Sequence, residues 1–321
     1  MKKKIIKSDL AILGSGPAGY TASIYSSRSN LSTILITGNH IGGQLTQTYK
    51  VENWPTEYNA IPGQTLMNNF YKHSTKLGTK IYKENIIKTI LKRNPIKLYS
   101  EELIFETKAL IIATGSKPKK LGIESEKKFE GRGISTCAIC DGFFYKNKEV
   151  AIVGGGNSAI EEALHLSKMV KKIYLIHRRK KWKADKILVK RLLKKSKTHN
   201  IKIHLDCEVI EIFGNCSEVT GIVIISKKDR KKIKIAVSCL FISIGHVPET
   251  NLFKNDLEME NGYIKIKSGR HGNFTTTNVP GIFAAGDVTD HVYKQAITAS
   301  ASGCMAAIDA SKYLETIKLK K

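Results

Sequence analysis

Two cysteines separated by two residues, Cys137 and Cys140, form the only Cys-x-x-Cys pair in the sequence. Cysteines at this spacing can close a disulfide, and one thiol of such a pair commonly has a lowered pKa, which makes a thiolate available at neutral pH. A structural zinc site would need about four ligands, with a second Cys pair or a His pair at metal spacing. The sequence has neither, and the polar residues Asp141 and Gly142 follow directly. The pair therefore predicts redox chemistry and no metal.

Two glycine-rich turns, each between an apolar segment and a helical pattern, could bind the phosphates of two dinucleotides. Their residues are Gly14, Ser15, Gly16, Pro17, Ala18 and Gly19 in the first, and Gly154, Gly155, Gly156, Asn157, Ser158 and Ala159 in the second. In such a turn the first glycine permits a tight bend, the second lets the backbone approach a pyrophosphate, and a small third residue packs the helix on the strand. One such turn is weak evidence, but two in the same context are much stronger.

A second repeated segment supports the same interpretation. The apolar run from residue 109 ends in Ala113-Thr114-Gly115, and the similar run from residue 239 ends in Gly245, each followed by a proline. The order of strand, turn, helix and second strand thus occurs twice. We predict an α/β fold with two Rossmann-type dinucleotide-binding domains.

The two turns differ at the end of the strand that follows each of them. In the second module His177, Arg178 and Arg179 lie there, and two arginines can clasp a 2′-phosphate where an acidic residue would hold a ribose hydroxyl. This module should therefore prefer NADPH over NADH. In the first module the strand ends at Thr37 without an acid, which leaves the ribose contact unassigned. Three residues that could bring the backbone close to a bulky ligand follow it: Gly42, Gly43 and Gln44.

The thiol pair and the two modules fit one chain of electron transfer. A nicotinamide carries a hydride, a disulfide accepts two electrons, and a flavin is the natural relay between them. We therefore expect the first module to bind FAD and the second to bind NADPH.

The length, the net charge and the apolar pattern limit the number of domains, the kinds of partner and the cellular location that we expect. The 321 residues suggest about two domains. The net charge of +25 comes mainly from Lys, and the scarcity of Arg, the residue that reads base edges best, favours no nucleic-acid partner. No apolar run is long enough to span a bilayer, so we expect no membrane partner. The basic N-terminus is interrupted by Ser8 and Asp9 before a signal-like apolar run can form. With few cysteines, the expected location is the cytoplasm.

Six segments together resemble the bacterial-type low-molecular-weight thioredoxin reductases, over about residues 8–314. They are GSGPAG at 14–19, ALIIATG at 109–115, CAICDGFFY at 137–145, GGGNSA at 154–159, HRR at 177–179 and GIFAAGDV at 281–288. The resemblance implies a homodimeric flavoprotein whose NADPH domain is inserted into its FAD domain. The FAD domain would comprise 1–118 and 248–321, and the NADPH domain with the dithiol 119–247.

The resemblance also implies roles for individual residues. Asp287, after Gly286, would bind the ribityl chain of FAD. The first turn of the last helix, at Gln295-Ala296, would lie against the flavin, and the helix has Ile297, Ala301, Cys304, Met305 and Ile308 on one face. Asn53 would also contact FAD. Lys294 and Lys183 stand where the family usually has arginine, so each keeps the charge but loses the fork geometry.

The same resemblance implies a mechanism. Cys140 would face the flavin, Cys137 would attack the disulfide of thioredoxin, and Asp141 would exchange the proton. The second domain would rotate between two orientations on hinges near 116–122 and 245–250.

Three other functions remain to be compared with this one. A reductase of another dithiol protein, such as a peroxiredoxin or a glutaredoxin-like partner, shares the modules and the thiol pair. A ferredoxin-type NADP reductase lacks the dithiol. A redox-inactive binding protein would rely on the basic helix-like stretch Lys181–Lys197, which we interpret as a solvated amphipathic face that helps attract an acidic thioredoxin.

Overall fold

The computed structural model describes residues 3–48, 50–198, 200–269 and 272–319. The chain divides into two units. Unit 1 comprises Met1–Lys117 and Val247–Lys321, and unit 2 comprises Pro118–His246. Unit 2 is therefore inserted into unit 1 along the sequence.

The first segment of unit 1 begins with a strand, a helix and a second strand, the order expected of a dinucleotide-binding module. Its elements are β1 (Lys4–Leu13), α1 (Pro17–Arg28), β2 (Thr33–Ile36), a 3₁₀ helix (Gln44–Gln47), α2 (Gly63–Lys76), β3 (Lys80–Tyr82), β4 (Lys88–Ile90), β5 (Ile96–Tyr99), β6 (Leu103–Ile112) and β7 (Ser116–Pro118).

The elements of unit 2 repeat this order after a short helix and strand. They are α3 (Glu124–Lys128), β8 (Ile134–Ser135), α4 (Ala138–Asp141), a 3₁₀ helix (Gly142–Tyr145), β9 (Glu149–Val153), α5 (Asn157–Leu166), β10 (Lys172–His177), α6 (Lys186–Thr198), β11 (Ile201–Leu205), β12 (Cys207–Gly214), β13 (Val219–Ser226), β14 (Lys232–Ala236) and β15 (Cys239–Ile242).

The chain then completes unit 1 with short strands and a long helix. These elements are β16 (His246–Pro248), β17 (Met259–Glu260), β18 (Tyr263–Ile264), β19 (Ile282–Ala284), a 3₁₀ helix (Gly286–Val288) and α7 (Ala296–Leu319).

The main sheet of unit 1 has its central strands in parallel. β3, β2, β1 and β6 are neighbours in that order, β19 pairs in parallel with β6, and β5 and β4 extend the sheet antiparallel. The inner ends of β1 and β6, from Leu10 to Leu13 and from Ala109 to Ile112, are almost fully buried. Strands covered on both faces are apolar without alternation, which is why these runs stand out in the sequence.

Unit 2 contains a smaller parallel sheet in the order β11, β10, β9, β15 and β8, and a separate antiparallel sheet of β12, β13 and β14. In each parallel sheet, the strand before the glycine turn is paired with the strand after the helix that follows that turn. These pairs are β1 with β2 in unit 1 and β9 with β10 in unit 2. The carboxyl ends of neighbouring parallel strands therefore gather at one edge, where ligands of open α/β sheets bind.

Helix α7 packs on α1 through small residues rather than through the apolar face seen in the sequence. At Gly303 an added Cβ would lie 2.1 Å from the carbonyl oxygen of Ala18, so the two helices approach closely. The buried residues of α7 include Ala299, Ala306 and Ala310. The residues grouped in the sequence as one apolar face, Ile297, Ala301, Cys304, Met305 and Ile308, are exposed or half-buried in the single chain.

The basic helix begins later than the sequence pattern suggested. Residues from Lys181 onward fit an amphipathic helix, but α6 starts at Lys186. The backbone N–H groups of Lys183 and Ala184 donate to the carbonyl oxygen of Gly155 at 2.9 and 3.2 Å. Because these bonds hold the chain against the glycine turn, the helix cannot start before them.

Candidate active site

The first glycine turn connects β1 to α1 at the carboxyl edge of the unit 1 sheet. Gly14 has φ +113°, and a Cβ there would lie 2.1 Å from the carbonyl oxygen of Ala113. At Gly19 a Cβ would lie 1.9 Å from the carbonyl oxygen of Gly14, whereas at Gly16 it would meet nothing within 4 Å. Gly14 and Gly19 are thus required by contacts within the protein, because a side chain at either position would collide with a carbonyl oxygen of the backbone. Gly16 faces open space, as the residue that lets a phosphate approach should.

Ser15 ties this turn to the glycine-rich loop that the sequence singled out. Its hydroxyl accepts a hydrogen bond from the Gly42 N–H at 3.0 Å and donates to the carbonyl oxygen of His40 at 3.4 Å. Gly42 and Gly43 both have positive φ, and a Cβ on Gly43 would lie 3.1 Å from the Cα of Gly16. The structure therefore brings the first glycine turn and the Gly42–Gly43 loop together.

The remaining predicted FAD residues extend from the same edge of unit 1. The Thr37 hydroxyl, directly after β2, donates to the carbonyl oxygen of Gly38. The Gln44 amide donates to the carbonyl oxygen of Ser116, and the Asn53 amide donates to Oε1 of Gln295 at 3.3 Å. Pro17 and Ala18 begin α1, and Ala113, Thr114 and Gly115 follow β6.

Asp287 is the acidic group of this edge. It lies on the short helix after β19, and Gly286 before it has φ +78°. Burial raises the pKa of the Asp287 carboxyl to about 6, a nearby Asp290 adds to that shift, and Lys294 opposes it. Burial lowers the pKa of Lys294, which precedes Gln295 and the first helical residue, Ala296. The pair offers one acidic and one basic group to a ligand.

The second glycine turn connects β9 to α5 at the carboxyl edge of the unit 2 sheet. At Gly154 a Cβ would lie 2.3 Å from the carbonyl oxygen of Ser243 and 2.6 Å from the Cβ of Ala159. At Gly156 it would meet nothing within 4 Å. Asn157 and Ser158 are exposed at the start of α5. The arrangement of required and open glycines matches the first turn.

The two arginines predicted to select NADPH lie at this edge. Arg178 and Arg179 are exposed directly after β10. The main chain of Lys183 is hydrogen-bonded to Gly155, and Gly245 follows β15 at the same edge. The structure therefore brings these predicted residues to one side of the unit 2 sheet.

His177 lies in a different environment from the two exposed arginines that follow it. Its ring is buried and stacks on Trp182 with ring centroids 5.2 Å apart, and its Nε2 pairs with the carbonyl oxygen of Lys181 at 3.0 Å. A Cβ on Gly155 would lie 2.1 Å from that ring. The imidazole therefore supports the turn from behind.

The cysteine pair is a disulfide in unit 2. Cys137 and Cys140 are bonded across the first turn of α4, with their Cα atoms 5.3 Å apart. The Cys140 N–H donates to the Sγ of Cys137 at 3.2 Å. A donor aimed at a sulfur stabilises its thiolate, so this bond favours Cys137 as the nucleophile once the disulfide is reduced.

Asp141 adjoins the disulfide and is held by Ser135, a residue that the sequence analysis missed. The Ser135 hydroxyl donates to Oδ2 of Asp141 at 2.6 Å and accepts a hydrogen bond from the Cys137 N–H at 3.1 Å. Burial raises the pKa of the Asp141 carboxyl, and the bond from Ser135 opposes that rise. A carboxyl whose pKa is raised towards neutrality can exchange a proton. A serine two residues before the first cysteine carries no recognisable signal in a single sequence.

Comparison with known proteins identifies the group to which this arrangement belongs. A family model described as pyridine nucleotide-disulphide oxidoreductase matches residues 8–303. The chain belongs to this family. Pyridine nucleotide-disulphide oxidoreductases similar to it include the thioredoxin reductase of Buchnera aphidicola subsp. Schizaphis graminum, which is 57% identical over 317 residues and covers 98% of both chains. The thioredoxin reductase of Buchnera aphidicola subsp. Acyrthosiphon pisum is 54% identical over 316 residues, which are 98% of this chain and 99% of the relative.

A solved structure gives the same result. The thioredoxin reductase from Giardia duodenalis is 36% identical, covers 96% of this chain and 99% of its own, and superposes with a TM-score of 0.88. The predicted α/β fold with two Rossmann-type domains is confirmed, and FAD and NADPH are the cofactors of this oxidoreductase family member. The open space at Gly16 and Gly156 fits both dinucleotides.

Two further structural findings complete the description of the site. Within the described residues, no helix is both long and apolar enough to cross a membrane. The same ranges contain no group of three or more His, Cys, Asp or Glu side chains placed to hold a metal ion.

Proposed function

We propose that this chain is a thioredoxin-disulfide reductase in which two electrons pass from NADPH to thioredoxin through the Cys137–Cys140 disulfide. The predicted activity agrees with the names of its full-length relatives. The observation that carries the proposal is the disulfide itself, placed in the unit that holds the second glycine turn. Bound FAD supplies two-electron chemistry between a nicotinamide and a disulfide.

The residues at the unit 1 edge hold FAD. The Gly14–Gly19 turn and the start of α1 receive the pyrophosphate, since backbone N–H groups and the helix dipole favour an anion there. Asp287 accepts hydrogen bonds from hydroxyl groups of the ligand, and Lys294 places a positive charge near the start of α7. Asn53 and Gln295 are hydrogen-bonded to each other, and together they bring two amides to the site.

The residues at the unit 2 edge hold NADPH. The turn from Gly154 to Ser158 receives the pyrophosphate, and Arg178 and Arg179 bind the 2′-phosphate with Lys183. Two exposed guanidinium groups in tandem, directly after β10, support this selectivity, because guanidinium forks match phosphate oxygens in pairs.

The two cysteines have different roles. Cys137, whose Sγ receives the Cys140 N–H, attacks the disulfide of thioredoxin. Cys140 would be the sulfur that takes up the electrons supplied when FAD is bound. Asp141 takes and returns the proton, and Ser135 keeps its carboxyl in place.

A protein substrate suits the surroundings of the disulfide. Ile139, between the cysteines, is 67% exposed, and Phe143, three residues after the pair, is 64% exposed. Apolar side chains this exposed are typical of a surface that another protein covers. They favour thioredoxin, or another dithiol protein, over a small disulfide.

The decisive experiment is an NADPH-dependent thioredoxin reduction assay on the FAD-loaded protein. Wild type should turn over, and Cys137→Ser and Cys140→Ser should each lose activity by several orders of magnitude while keeping the yellow flavin. A Cys216→Ser variant, at an exposed cysteine outside the pair, is the matched control and should stay active. Retained activity in either variant of the pair would refute the assignment.

The same assay distinguishes thioredoxin reduction from the alternative function, the reduction of another dithiol protein. If a peroxiredoxin or a glutaredoxin-like protein were turned over much faster than thioredoxin, the chain would serve that partner instead, with the same cysteines.

We also propose that the protein works in the cytoplasm, which the sparse cysteines support.

We propose that the chain forms a homodimer and that the exposed face of α7 forms part of its interface. Ile297 and Ile308 are each 44% exposed, and Tyr25 of α1 is 45% exposed on the same unit. Burial of such side chains in a symmetric interface contributes favourable free energy. Sedimentation of an Ile308→Asp variant should show a shift towards monomer, and an unchanged sedimentation coefficient would place the interface elsewhere.

A further inference from the structure

The loop between β10 and α6 carries the three cations proposed to bind the 2′-phosphate. Arg178 and Arg179 directly follow β10, and Lys183 lies two residues before Asp185, the last residue of the loop. The sequence analysis did not single out Asp185. The contacts that hold this loop beside the second glycine turn decide where its cations stand.

The C-terminal end of the loop is attached to the glycine turn by side-chain as well as backbone hydrogen bonds. The Asn157 Nδ2 donates to Oδ2 of Asp185 at 2.8 Å, and the Asp185 N–H donates to Oδ1 of Asn157 at 2.9 Å. These reciprocal bonds close a ring between the first residue of α5 and the residue before α6. The two preceding residues, Lys183 and Ala184, donate their N–H groups to the Gly155 carbonyl oxygen.

The middle of the loop is held by the ring stack behind the turn. The Lys181 carbonyl oxygen pairs with Nε2 of His177 at 3.0 Å, and the Trp182 ring lies almost parallel to the His177 ring, with an interplanar angle of 9°. His177 is the last residue of β10, so the chain folds back onto the strand that it has just left. The loop is therefore closed between two fixed points, His177 and Asn157.

Asp185 stands in the position from which an aspartate ordinarily caps its own helix. Its backbone carbonyl oxygen accepts a hydrogen bond from the Val189 N–H at 3.1 Å. A capping carboxylate would accept from the second or third N–H of that helix, whereas this carboxylate accepts from the Asn157 amide on α5. The side chain of Asp185 therefore joins the loop to α5.

We propose that Asn157 and Asp185 are positioning residues for selectivity towards a nucleotide 2′-phosphate. This inference rests on the proposed binding of NADPH at the second turn. Neither side chain has to touch that phosphate, because the pair holds Lys183, and through the loop Arg178 and Arg179, in place before the nucleotide binds. A loop that is ordered in advance binds more tightly, since its conformational entropy is not lost on binding.

The charge of Asp185 gives this proposal a direction that electrostatics alone would reverse. A carboxylate in a loop that binds a phosphate opposes binding by like-charge repulsion. If charge were all that mattered, removing the carboxylate would strengthen the binding of NADPH. If the position of the loop matters more, removing it weakens that binding.

The first test measures the preference of the FAD-loaded protein for NADPH over NADH, as the ratio of the two kcat/KM values with ferricyanide as electron acceptor. Asp185→Ala should lower this ratio about tenfold, through a higher KM for NADPH, the size expected for one lost bond to a charged phosphate. Asp185→Asn keeps an oxygen for the Asn157 amide and should match wild type. A higher ratio for Asp185→Ala, or an equal loss with both nucleotides, would overturn the proposal.

A double-mutant cycle tests whether the two side chains act as one unit. Asn157→Ala should lower the ratio as much as Asp185→Ala does, and the variant with both changes should lose no more than either alone. Losses that multiply would show two independent contributions and would contradict the pair. Asp229→Ala, at an exposed aspartate between β13 and β14, is the matched control and should keep the wild-type ratio.

A second readout needs neither turnover nor nucleotide. The loop contains exposed trypsin sites at residues 178–181 and 183, and a released loop is cut faster than a fixed one. After brief digestion of the FAD-loaded protein, peptide quantification by mass spectrometry should show faster cleavage of the loop in Asp185→Ala than in wild type. Cleavage between β13 and β14, the internal reference, should be unchanged. Equal loop cleavage, or faster cleavage at both places, would overturn the proposal.

Failure of the proposed function gives a different result. If the wild-type protein shows no preference for NADPH over NADH, the 2′-phosphate assignment itself is wrong. The inference about Asn157 and Asp185 then falls with it, whatever the digestion shows.

Discussion

The two glycine turns of this chain share one backbone design and differ in what surrounds it. In both, the first glycine is required because a Cβ would strike a carbonyl oxygen, while Gly16 and Gly156 face open space. Behind the first turn the Ser15 hydroxyl pairs with Gly42. Behind the second, the His177 ring occupies the space next to Gly155. Because both turns leave the middle glycine open, we expect each to bind a pyrophosphate, and we expect the neighbouring segments to decide which dinucleotide each turn takes.

The largest expected effect comes from closing the open glycine of each turn. A methyl group at Gly16 or Gly156 meets no protein atom, so the fold should tolerate it, but it occupies the space of the phosphates. Loss of two charge-assisted hydrogen bonds at about 1.5–3 kcal/mol each weakens binding by roughly 100-fold or more. Gly16→Ala should lose flavin absorbance, while Gly156→Ala should stay yellow with a much higher KM for NADPH. If both variants lost the same cofactor, the comparison would be broken.

The next largest effect tests the Arg178–Arg179 pair, which lies beside the second turn and has no counterpart beside the first. Arg178→Ala with Arg179→Ala should raise the KM for NADPH by roughly 100-fold, since bonds to a charged phosphate contribute about 1.5–3 kcal/mol each. The KM for NADH, which has no 2′-phosphate, should change little. Steady-state kinetics with both nucleotides measure the ratio. Arg191→Ala, an exposed arginine on α6, is the control, and equal effects on both nucleotides would contradict the phosphate assignment.

Sequence alone could predict the parts of the site that depend on short-range pattern. The two turns, the Arg178–Arg179 pair and the Cys137–Cys140 disulfide follow from residue type and spacing, because a tight turn and a vicinal disulfide are local structures. The strand-end residues Thr37, Ala113 and Gly286 come to one edge because parallel strands gather their carboxyl ends there.

Residues that act through distant partners escaped prediction. Ser135 matters because of what lies against it after folding, and it belongs to no motif. The residues from Ile297 to Ile308 that share one face of α7 do not form the face that packs on α1, since the tight approach at Gly303 selects small residues there. Adjacency in the sequence groups His177 with the arginines, but the alternation of side chains along β10 places its ring in the interior.

A further effect concerns the half-buried carboxyl of Asp287 in unit 1. The pKa of Asp287 rises from 3.8 to about 6 on folding. Between these values the folded state keeps a proton that the unfolded state has lost, so stability falls as pH rises from about 4 to 6 and the penalty is complete above 6. In the flavin-free protein, Asp287→Asn should be more stable at pH 7 by about 3 kcal/mol at most. Denaturant unfolding at pH 4 and 7 checks this, and Glu101→Gln, at an exposed acid of the same unit, is the control.

The smallest effect tests the two ways of supporting a turn. Ser15→Ala removes the bond to the Gly42 N–H and should cost about 1 kcal/mol of unfolding free energy. Gly155→Ser, which gives the second turn the residue of the first, forces a side chain against His177 and should cost about 1–3 kcal/mol by overpacking. His177→Ala makes room, so the double variant Gly155→Ser with His177→Ala should lose less than the sum of the two single losses. If the two losses of unfolding free energy were strictly additive in a double-mutant cycle, the His177 ring would not occupy, in unit 2, the position that the Ser15 side chain occupies in unit 1.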